Sequence, residues 1–542
     1  MRSDPSRRLS AREDVRPSDR DRSPASNAEM TVERIEPRGQ LRPPSEFRLP
    51  ADVGEVLSNR LRRVHERVAQ ATERRVPTAI AEIAMHYDQS GTADKAYQYA
   101  VMAADHALSA YAHQESLELL AIAERHAASE SALADVRLRM AQVAESLGRY
   151  QDAEALCAEV IAWTAAKGDP RRSLAPRRIR ERIRNLLGQP ARKTLAACLA
   201  LDEEAKERGV EVERVALLTM ISQAHSRLGE REAAERTAAD AVKIGERAHD
   251  STLLADALVR LGITREPVDA DEAARHYQRA LEMFRAVGDF RGQARCHNNL
   301  GIVHQLRSEW TAAQDQLDCA IALARSSGMR EVWGLAALNS GVMALKRGEF
   351  DRASDRFGEA LALFGAMKST ERQLYAVYNL AHLDRERGDL EAAAELYDVS
   401  LALAKAIGQS DVEIGARAGA GIALLDMGKD VAARVASLDA AERLRARPEW
   451  FQGRELAEAL RIRMLARDGK ALEARRRLDE ALAMAAEVDV YGAAWLAAHC
   501  APSLLPSDAG YARTVAVKFG GSARENGYVP VSRRIDAITE TP

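Results

Sequence analysis

Small residues return every 40 positions through the middle of the chain, in register with helical patterns of apolar residues. The apolar positions recur at spacings of three and four, which places them on one face of an α-helix. The pattern therefore predicts a repeated pair of helices. The four columns of this repeat contain Gly301, Gly341, Ala381 and Gly421; Ser308, Gly348, Gly388 and Gly428; Ala313, Ala353, Ala393 and Ala433; and Ala320, Ala360, Ser400 and Ala440.

Each unit is predicted to contain two helices joined by a short turn. The first helix carries a small residue, such as Gly341, where its partner crosses closely. The turn holds a residue such as Gly348, because glycine adopts a positive φ at little cost. The second helix presents Ala353, Phe357 and Ala360 on one face. This small–large–small order lets the two helices nest, with the ridges of one in the grooves of the other.

These residues resemble the tetratricopeptide repeat, a helix–turn–helix unit with small residues at fixed positions. Fainter copies at Gly91, Gly148, Gly229 and Gly469 extend the resemblance over most of residues 78–500. The period exceeds the usual value of about 34 residues, and the closing proline is missing. Such longer repeats are similar to the C-terminal repeat regions of large bacterial signalling ATPases, kinases and transcriptional regulators. The resemblance implies an all-α, right-handed superhelical solenoid of antiparallel helix hairpins, and we expect about nine or ten hairpins.

Composition divides the chain into four parts. Residues 1–50 contain seven of the 17 prolines and few apolar residues, so they are predicted to be disordered. Residues 51–205 are predicted to form divergent N-terminal hairpins. Residues 206–500 are predicted to form the repeat array, with its best copies at 294–440. Residues 501–542 contain the turn signals SDAG, GGS and ENG and are predicted to be an irregular tail.

The charge balance and the apolar segments limit the possible partners. The chain has 78 basic and 81 acidic residues, a net charge of −3, which removes the general electrostatic argument for binding nucleic acid or an anionic membrane. No apolar run approaches the roughly 20 residues that span a bilayer. The cysteines lack a C-x-x-C spacing, as is typical of reduced thiols in a cytoplasmic protein. They are Cys157, Cys198, Cys296, Cys319 and Cys500.

Motifs for catalysis, cofactors and metals are missing from the sequence. The glycine–lysine pairs that end at Lys429 and Lys470 are followed by Asp430 and Ala471, whereas a phosphate-binding loop needs Ser or Thr there. The 12 histidines show no metal-ligand spacing, and neither H-E-x-x-H nor G-x-S-x-G occurs. We therefore expect a protein that is not an enzyme and that holds no cofactor or metal.

The family resemblance implies that the first helix of each unit lines a concave groove. Side chains at three–four–three spacing would face this groove, and they change along the chain from polar to apolar to aromatic with His and Arg. An amphipathic helix or an extended apolar peptide would fit them, or they would pack only against neighbouring helices. The candidate groove residues are Arg295, Asn298, Gln305, Leu338, Leu345, Tyr375, Tyr378, His382 and Arg385.

One basic run, from Arg171 to Lys193, departs from the overall neutrality of the chain. Three interpretations remain open: a solvated helix between two arrays, a docking patch for an acidic protein segment, or a contact with nucleic acid. The run lacks the aromatic residues that stack on bases. The candidate docking residues are Arg177, Arg178, Arg180, Arg182 and Arg184.

The leading functional hypothesis is a cytoplasmic scaffold or regulatory module that binds a partner peptide or helix in the concave groove. The alternative is the sensory or regulatory half of a signalling ATPase, kinase or transcriptional activator that lacks its catalytic module. Residues 78–127 resemble the helical segment that follows the nucleotide-binding module in such regulators. We expect a protein or peptide partner, with a separate signalling ATPase or kinase as one candidate, and neither a membrane nor a nucleic-acid partner.

Overall fold

The computed structural model describes residues 51–447, 449–451, 453–486 and 489–540. The predicted disordered segment 1–50 lies outside the described residues. The chain divides into two units, Met1–Asn59 and Arg60–Pro542, and the boundary falls inside the first helix. Apart from the first residues of α1, the features below belong to the second unit.

Twenty-five α-helices and no strand occupy the described ranges. Consecutive helices from α2 to α25 pack against one another as a chain of hairpins. The helices are α1 (Ala51–Arg75), α2 (Ile80–Ser90), α3 (Ala93–Ser109), α4 (His113–Arg125), α5 (Glu130–Ser146), α6 (Tyr150–Lys167), α7 (Pro170–Leu186), α8 (Ala191–Glu207), α9 (Glu211–Leu228), α10 (Arg231–Ala248), α11 (Ser251–Arg265), α12 (Ala270–Val287), α13 (Phe290–Leu306), α14 (Trp310–Ser326), α15 (Arg330–Lys346), α16 (Phe350–Ala366), α17 (Thr370–Arg387), α18 (Leu390–Ile407), α19 (Ser410–Asp426), α20 (Asp430–Ala446), α21 (Arg454–Arg467), α22 (Ala471–Ala486), α23 (Val490–Leu504), α24 (Ala509–Glu525) and α25 (Val529–Glu540).

The small-residue columns act as the sequence predicts. A Cβ atom at Gly341 would lie 2.5 Å from the ring of Phe357, and one at Gly301 would lie 2.8 Å from Leu317, so only glycine permits these crossings. The turn column requires a left-handed backbone, with φ of 75° at Gly348 and of 58° even where Ser308 replaces glycine. Local sequence therefore sets both the helix crossing and the turn of each unit.

Successive turns of the superhelix touch one another. Ser369 Oγ donates to the carbonyl of Leu186 at 3.1 Å, across 183 residues of sequence. Trp310 Nε1 donates to the carbonyl of Asn526 at 2.9 Å, across 216 residues. One superhelical turn thus takes about 200 residues, or about five units of the repeat. We call these inter-turn contacts the seam.

The C-terminal residues differ from their prediction as an irregular tail. Residues 501–542 contain the end of α23 and two further helices, α24 and α25. The SDAG signal is a helix start, where Asp508 accepts from the backbone N–H of Tyr511 at 3.0 Å. The GGS signal lies inside α24, where a Cβ atom at Gly520 would be 2.8 Å from Ile535. Gly520 therefore permits a close helix crossing rather than a turn.

Candidate functional site in the interior of the superhelix

Ion pairs join successive odd-numbered helices along the inside of the superhelix. Arg295 on α13 contacts Asp256 on α11 at 2.6 Å. Glu331 on α15 contacts Arg291 on α13 at 3.3 Å and Arg372 on α17 at 2.9 Å. Four consecutive inner helices are therefore linked by charged side chains.

These charged residues also interact electrostatically with a residue from an earlier helix, α7. Arg182 on α7 pairs with Glu145 on α5. Burial alone would lower the pKa of the Arg182 guanidinium, but the charges of Glu145, Glu331 and Asp256 raise it above its ordinary value. Because α7, α11 and α15 interact in this way, their side chains face a common interior.

Several of the interior charges remain accessible to solvent although protein surrounds them. The side chains of Arg182, Asp256 and Arg295 are 38%, 38% and 36% exposed. Burial would raise the pKa of Glu331, but Arg372 and Arg291 lower it to about 2, so this carboxylate stays ionised. The interior surface is thus polar, charged and partly exposed to solvent. We define it by Arg182, Asp256, Arg260, Arg295, Glu331 and Arg372.

Arg260 differs from the other interior arginines. Its guanidinium donates to the hydroxyls of Ser222, at 2.9 Å, and Ser226, and it makes no ion pair with a described residue. Burial lowers its pKa to about 10, against smaller opposing effects of Tyr277 and Glu371. It lies one helical turn from Asp256 on the same face of α11. Arg260 is therefore a partly buried cation without a matched anion.

The structure places the first candidate groove residues at this interior. Arg295 is one of its cations. Gln305 donates to the carbonyl of Asn339 at 2.9 Å, and Asn339 donates to the side chain of Asn298 at 2.9 Å. These amides form a ladder between α13 and α15, so much of their hydrogen-bonding capacity is already used.

Other candidate groove residues lie in the protein core. Leu338 and Leu345 are only 6% and 8% exposed and pack in the cluster around Phe357. Tyr375 is partly buried, and burial raises its pKa to about 12. These side chains hold neighbouring helices together, which was the alternative interpretation of the groove pattern.

The candidates at the end of α17 are covered by the C-terminal helices. Tyr378 inserts its hydroxyl between Gly415 and Gly453, and its ring packs edge-on against His382. Burial, with a smaller effect of Arg385, lowers the pKa of His382 to about 3. Arg385 is 5% exposed and stacks on the ring of Trp495. The structure therefore does not bring these three residues together with the interior charges.

Carboxylates of other residues pair with most of the candidate residues of the basic run. Four of its five candidate residues form ion pairs, and no ion pair between Arg180 and a described residue is present. A docking role of this run stays a prediction. The pairs are Arg177 with Glu204 at 2.7 Å, Arg178 with Glu213 at 2.6 Å, Arg182 with Glu145, and Arg184 with Glu154 at 2.6 Å.

Sequence reasoning missed four of the interior charges, Asp256, Arg260, Glu331 and Arg372. The last three stand outside the three–four–three columns of their helices. Asp256 occupies the position on α11 that corresponds to Arg295 on α13, so extending the columns back by one unit would have pointed to it.

Burial also changes a carboxyl group at the end of α11, which leads to a pH prediction. Burial raises the pKa of Glu266 from 4.5 to about 7, against the opposing hydrogen bond from Tyr277. The folded protein therefore binds the Glu266 proton more tightly than the unfolded protein does. The resulting contribution to stability is present below about pH 4.5 and is lost as the pH rises through 7. Glu266→Gln keeps an acceptor for Tyr277, so it should be more stable than wild type by up to about 3 kcal/mol near pH 8.

Urea unfolding of both proteins near pH 4 and pH 8 measures this difference. Near pH 4 the two should have similar stability, because the wild-type carboxyl is then protonated. Glu282→Gln, at an exposed position of α12, is the matched control. A difference of equal size at both pH values would contradict the prediction.

The fold and the interior define a helical-repeat protein, a solenoid whose inner helices present a charged surface. Residues 268–326, which contain the whole of α12, α13 and α14, match the tetratricopeptide repeat family. The chain therefore contains tetratricopeptide repeats, as the small-residue columns predict. A comparison with curated protein sequences found no match.

Solved structures of similar architecture include a Rap protein complexed with competence and sporulation factor. This structure is 16% identical, with a TM-score of 0.42, and the match covers 63% of this chain and 99% of the Rap chain. Yeast Tom70 is 14% identical, with a TM-score of 0.35, over 89% of this chain and 96% of its own. BtubC from P. vanneervenii is 18% identical, with a TM-score of 0.32, over 40% of this chain and 91% of its own.

Two further observations concern the described residues. None of the described helices is both long and apolar enough to cross a membrane. Within the same ranges, no three His, Cys, Asp or Glu side chains cluster in a way that could hold a metal ion.

Proposed function

We propose that this protein is a non-enzymatic scaffold that binds an extended segment of a partner protein against its interior surface. The observation that carries the proposal is Arg260, a partly buried guanidinium whose hydrogen bonds to described residues go to serine hydroxyls. A buried cation gains most from a charge-assisted bond to a carboxylate. A ligand carboxylate would supply the anion that no described residue of the chain supplies.

The rest of the interior surface adds to the chemistry of this segment. Arg182 and Arg295 offer two further cations, each more than a third exposed. Ile263 is 39% exposed, and Ile302 and Val342, at the corresponding positions of the next two inner helices, are partly exposed. We infer that the bound segment carries both acidic and apolar side chains.

Selection from a peptide library tests this function. Displayed random peptides of about 12 residues would be selected on the wild-type protein and then measured against Arg260→Gln. Glutamine keeps a hydrogen-bond donor but removes the charge, so we expect acidic–apolar peptides that bind the variant about tenfold more weakly. The matched control is Arg236→Gln on the outer helix α10, where the side chain is 70% exposed.

Two outcomes would count against the interior site. Enriched peptides that bind wild type and Arg260→Gln equally would show that the interior charge is not used. Enrichment of basic peptides would show that the carboxylates of the interior, rather than its arginines, recognise the ligand.

The alternative function is the regulatory half of a signalling ATPase, kinase or transcriptional activator. The resemblance of residues 78–127 to the segment after a nucleotide-binding module favours it. In that case the partner is a separate signalling module, and adding this protein should change the turnover of that module. Turnover by the purified chain alone, in an ATPase or kinase assay, would instead contradict a non-enzymatic role.

We also propose a cytoplasmic location. The five cysteines are free thiols, and four of them are buried. Burial raises the pKa of Cys157 and of Cys198 to about 12, which keeps both as unreactive thiols. A chain with this cysteine usage suits a reducing compartment.

A further inference from the structure

An apolar stripe lies on the outer face of the solenoid, away from the interior surface. Val431, Val435 and Leu438 on α20 are 82%, 62% and 68% exposed. Their spacing of four and three places them on one face of the helix. Leu472, at the corresponding position of the next outer helix, α22, is 83% exposed. We call these four side chains the convex stripe.

The residues of this stripe can be compared with those at the same positions in the preceding repeat units. In the three preceding units, the positions that correspond to Val431, Val435 and Leu438 are exposed and mostly acidic. The fold therefore does not need apolar residues at these positions. Exposed apolar residues that are concentrated on one helix are typical of an interaction site. The corresponding residues are Thr311, Asp315 and Asp318 on α14; Asp351, Asp355 and Gly358 on α16; and Glu391, Glu395 and Asp398 on α18.

The border of the convex stripe is acidic on one side. Helices α18 and α20 both pack against α19 and are the second helices of consecutive units, so α18 is the outer helix that precedes the stripe in the repeat. Glu391, Glu395 and Asp398 are exposed on α18. Among the described residues none of these three carboxylates has an ion-pair partner. The stripe thus joins an apolar ridge to a row of unmatched negative charge.

We propose that the convex stripe docks an amphipathic helix of a partner protein, whose apolar face is flanked by lysine or arginine. A helix presents apolar anchors at the same three–four spacing as the stripe. Basic flanking residues would pair with the carboxylates of α18 and fix the side and direction of docking.

The size of the patch favours one helix over a second copy of this chain. At roughly 60–120 Å² per aliphatic side chain, four side chains offer at most about 500 Å². Each partner of a standard protein interface buries about 800 Å². A single helix matches the smaller area.

Two designed helical peptides test the proposal against the full-length protein. Both carry leucines at the same three–four spacing, but one has lysine and the other glutamate at the flanking positions. Fluorescence anisotropy should show at least tenfold tighter binding of the lysine-flanked peptide to wild type. The double variant V435E/L438D, which copies Glu395 and Asp398 of α18, should lose at least tenfold in that affinity. The variant E395K/D398K should reduce or reverse the preference.

The variants include their own controls. V435E/L438D should melt at the wild-type temperature, since α18 already carries these residues at the same positions. D315K/D318K, on the distant outer helix α14, should bind the lysine-flanked peptide as wild type does. The proposal is overturned if that peptide fails to bind wild type, or if it binds V435E/L438D equally well. Light scattering gives a second test. If wild type forms a concentration-dependent dimer and V435E/L438D is a monomer, the proposal is also overturned, because a second copy of the chain then occupies the stripe.

Discussion

Replacing Phe357 by alanine should lower the free energy of unfolding by about 3–5 kcal/mol. The side chain is fully buried, and its ring fills the space left by Gly341. It also belongs to the cluster that joins α5–α7 to α15–α17, so one cavity weakens two superhelical turns. The neighbouring helices cannot collapse into the space without leaving their glycine crossings. Urea unfolding followed by circular dichroism measures the loss.

Phe350→Ala is the matched control for this prediction. Phe350 begins the same helix, α16, but is only partly buried. Its truncation should cost less than half as much, because part of the ring already contacts water. Equal losses for the two variants would show that Phe357 does not have the packing role assigned to it.

Arg227→Glu should open the seam between superhelical turns. Arg227 is 3% exposed and donates to Asn185 and, at 2.8 Å, to the carbonyl of Ile407, which lies 180 residues further along the chain. Asn185 also donates to the buried carboxylate of Glu371 at 3.2 Å. A glutamate at 227 would place a second negative charge in this buried network and leave the carbonyl without its donor. We expect a loss of about 3–5 kcal/mol.

Small-angle X-ray scattering distinguishes this effect from a local one. If the seam holds the turns together, the radius of gyration of Arg227→Glu should rise while helical content stays close to wild type. Arg236→Glu, on an exposed position of α10, should change stability by no more than about 0.5 kcal/mol and leave the radius unchanged. A destabilised Arg227→Glu protein of unchanged dimensions would mean that Arg227 supports only its own hairpin.

The hairpin unit was predictable because its determinants lie close together in sequence. Gly341, Gly348 and Phe357 fall within one unit, and the same spacing recurs in the next units. A close helix crossing admits only small residues, and a left-handed turn favours glycine, so local sterics select these residues directly. For the same reason, weak copies of the columns were recognisable as hairpins.

The site was only partly predictable. Arg295, Asn298 and Gln305 do lie at the inner face of their helix, as the columns imply. Tyr378 and Arg385 occupy corresponding columns, yet the C-terminal helices cover them. The column pattern predicts the direction in which a side chain leaves its own helix. It does not predict whether a helix from another part of the chain buries that side chain.

The basic run shows the same limit in its electrostatics. From sequence it carries a local excess of positive charge, with only Glu181 opposing. In the fold, Arg177, Arg178 and Arg184 each face a carboxylate on another helix. Charges that are far apart along the chain cancel only after the helices have packed.

By itself, therefore, the sequence determined the all-α class, the 40-residue hairpin, its turns and its nested crossings. Only the tertiary structure decided that successive turns meet at a seam, that residues 501–540 continue the solenoid as helices, and that no described carboxylate pairs with Arg260. The physical reason is the distance along the chain between the residues that interact. Hairpin geometry depends on sterics within one unit, whereas the seam and the interior charges depend on the small rotation between units, which adds up over about five of them.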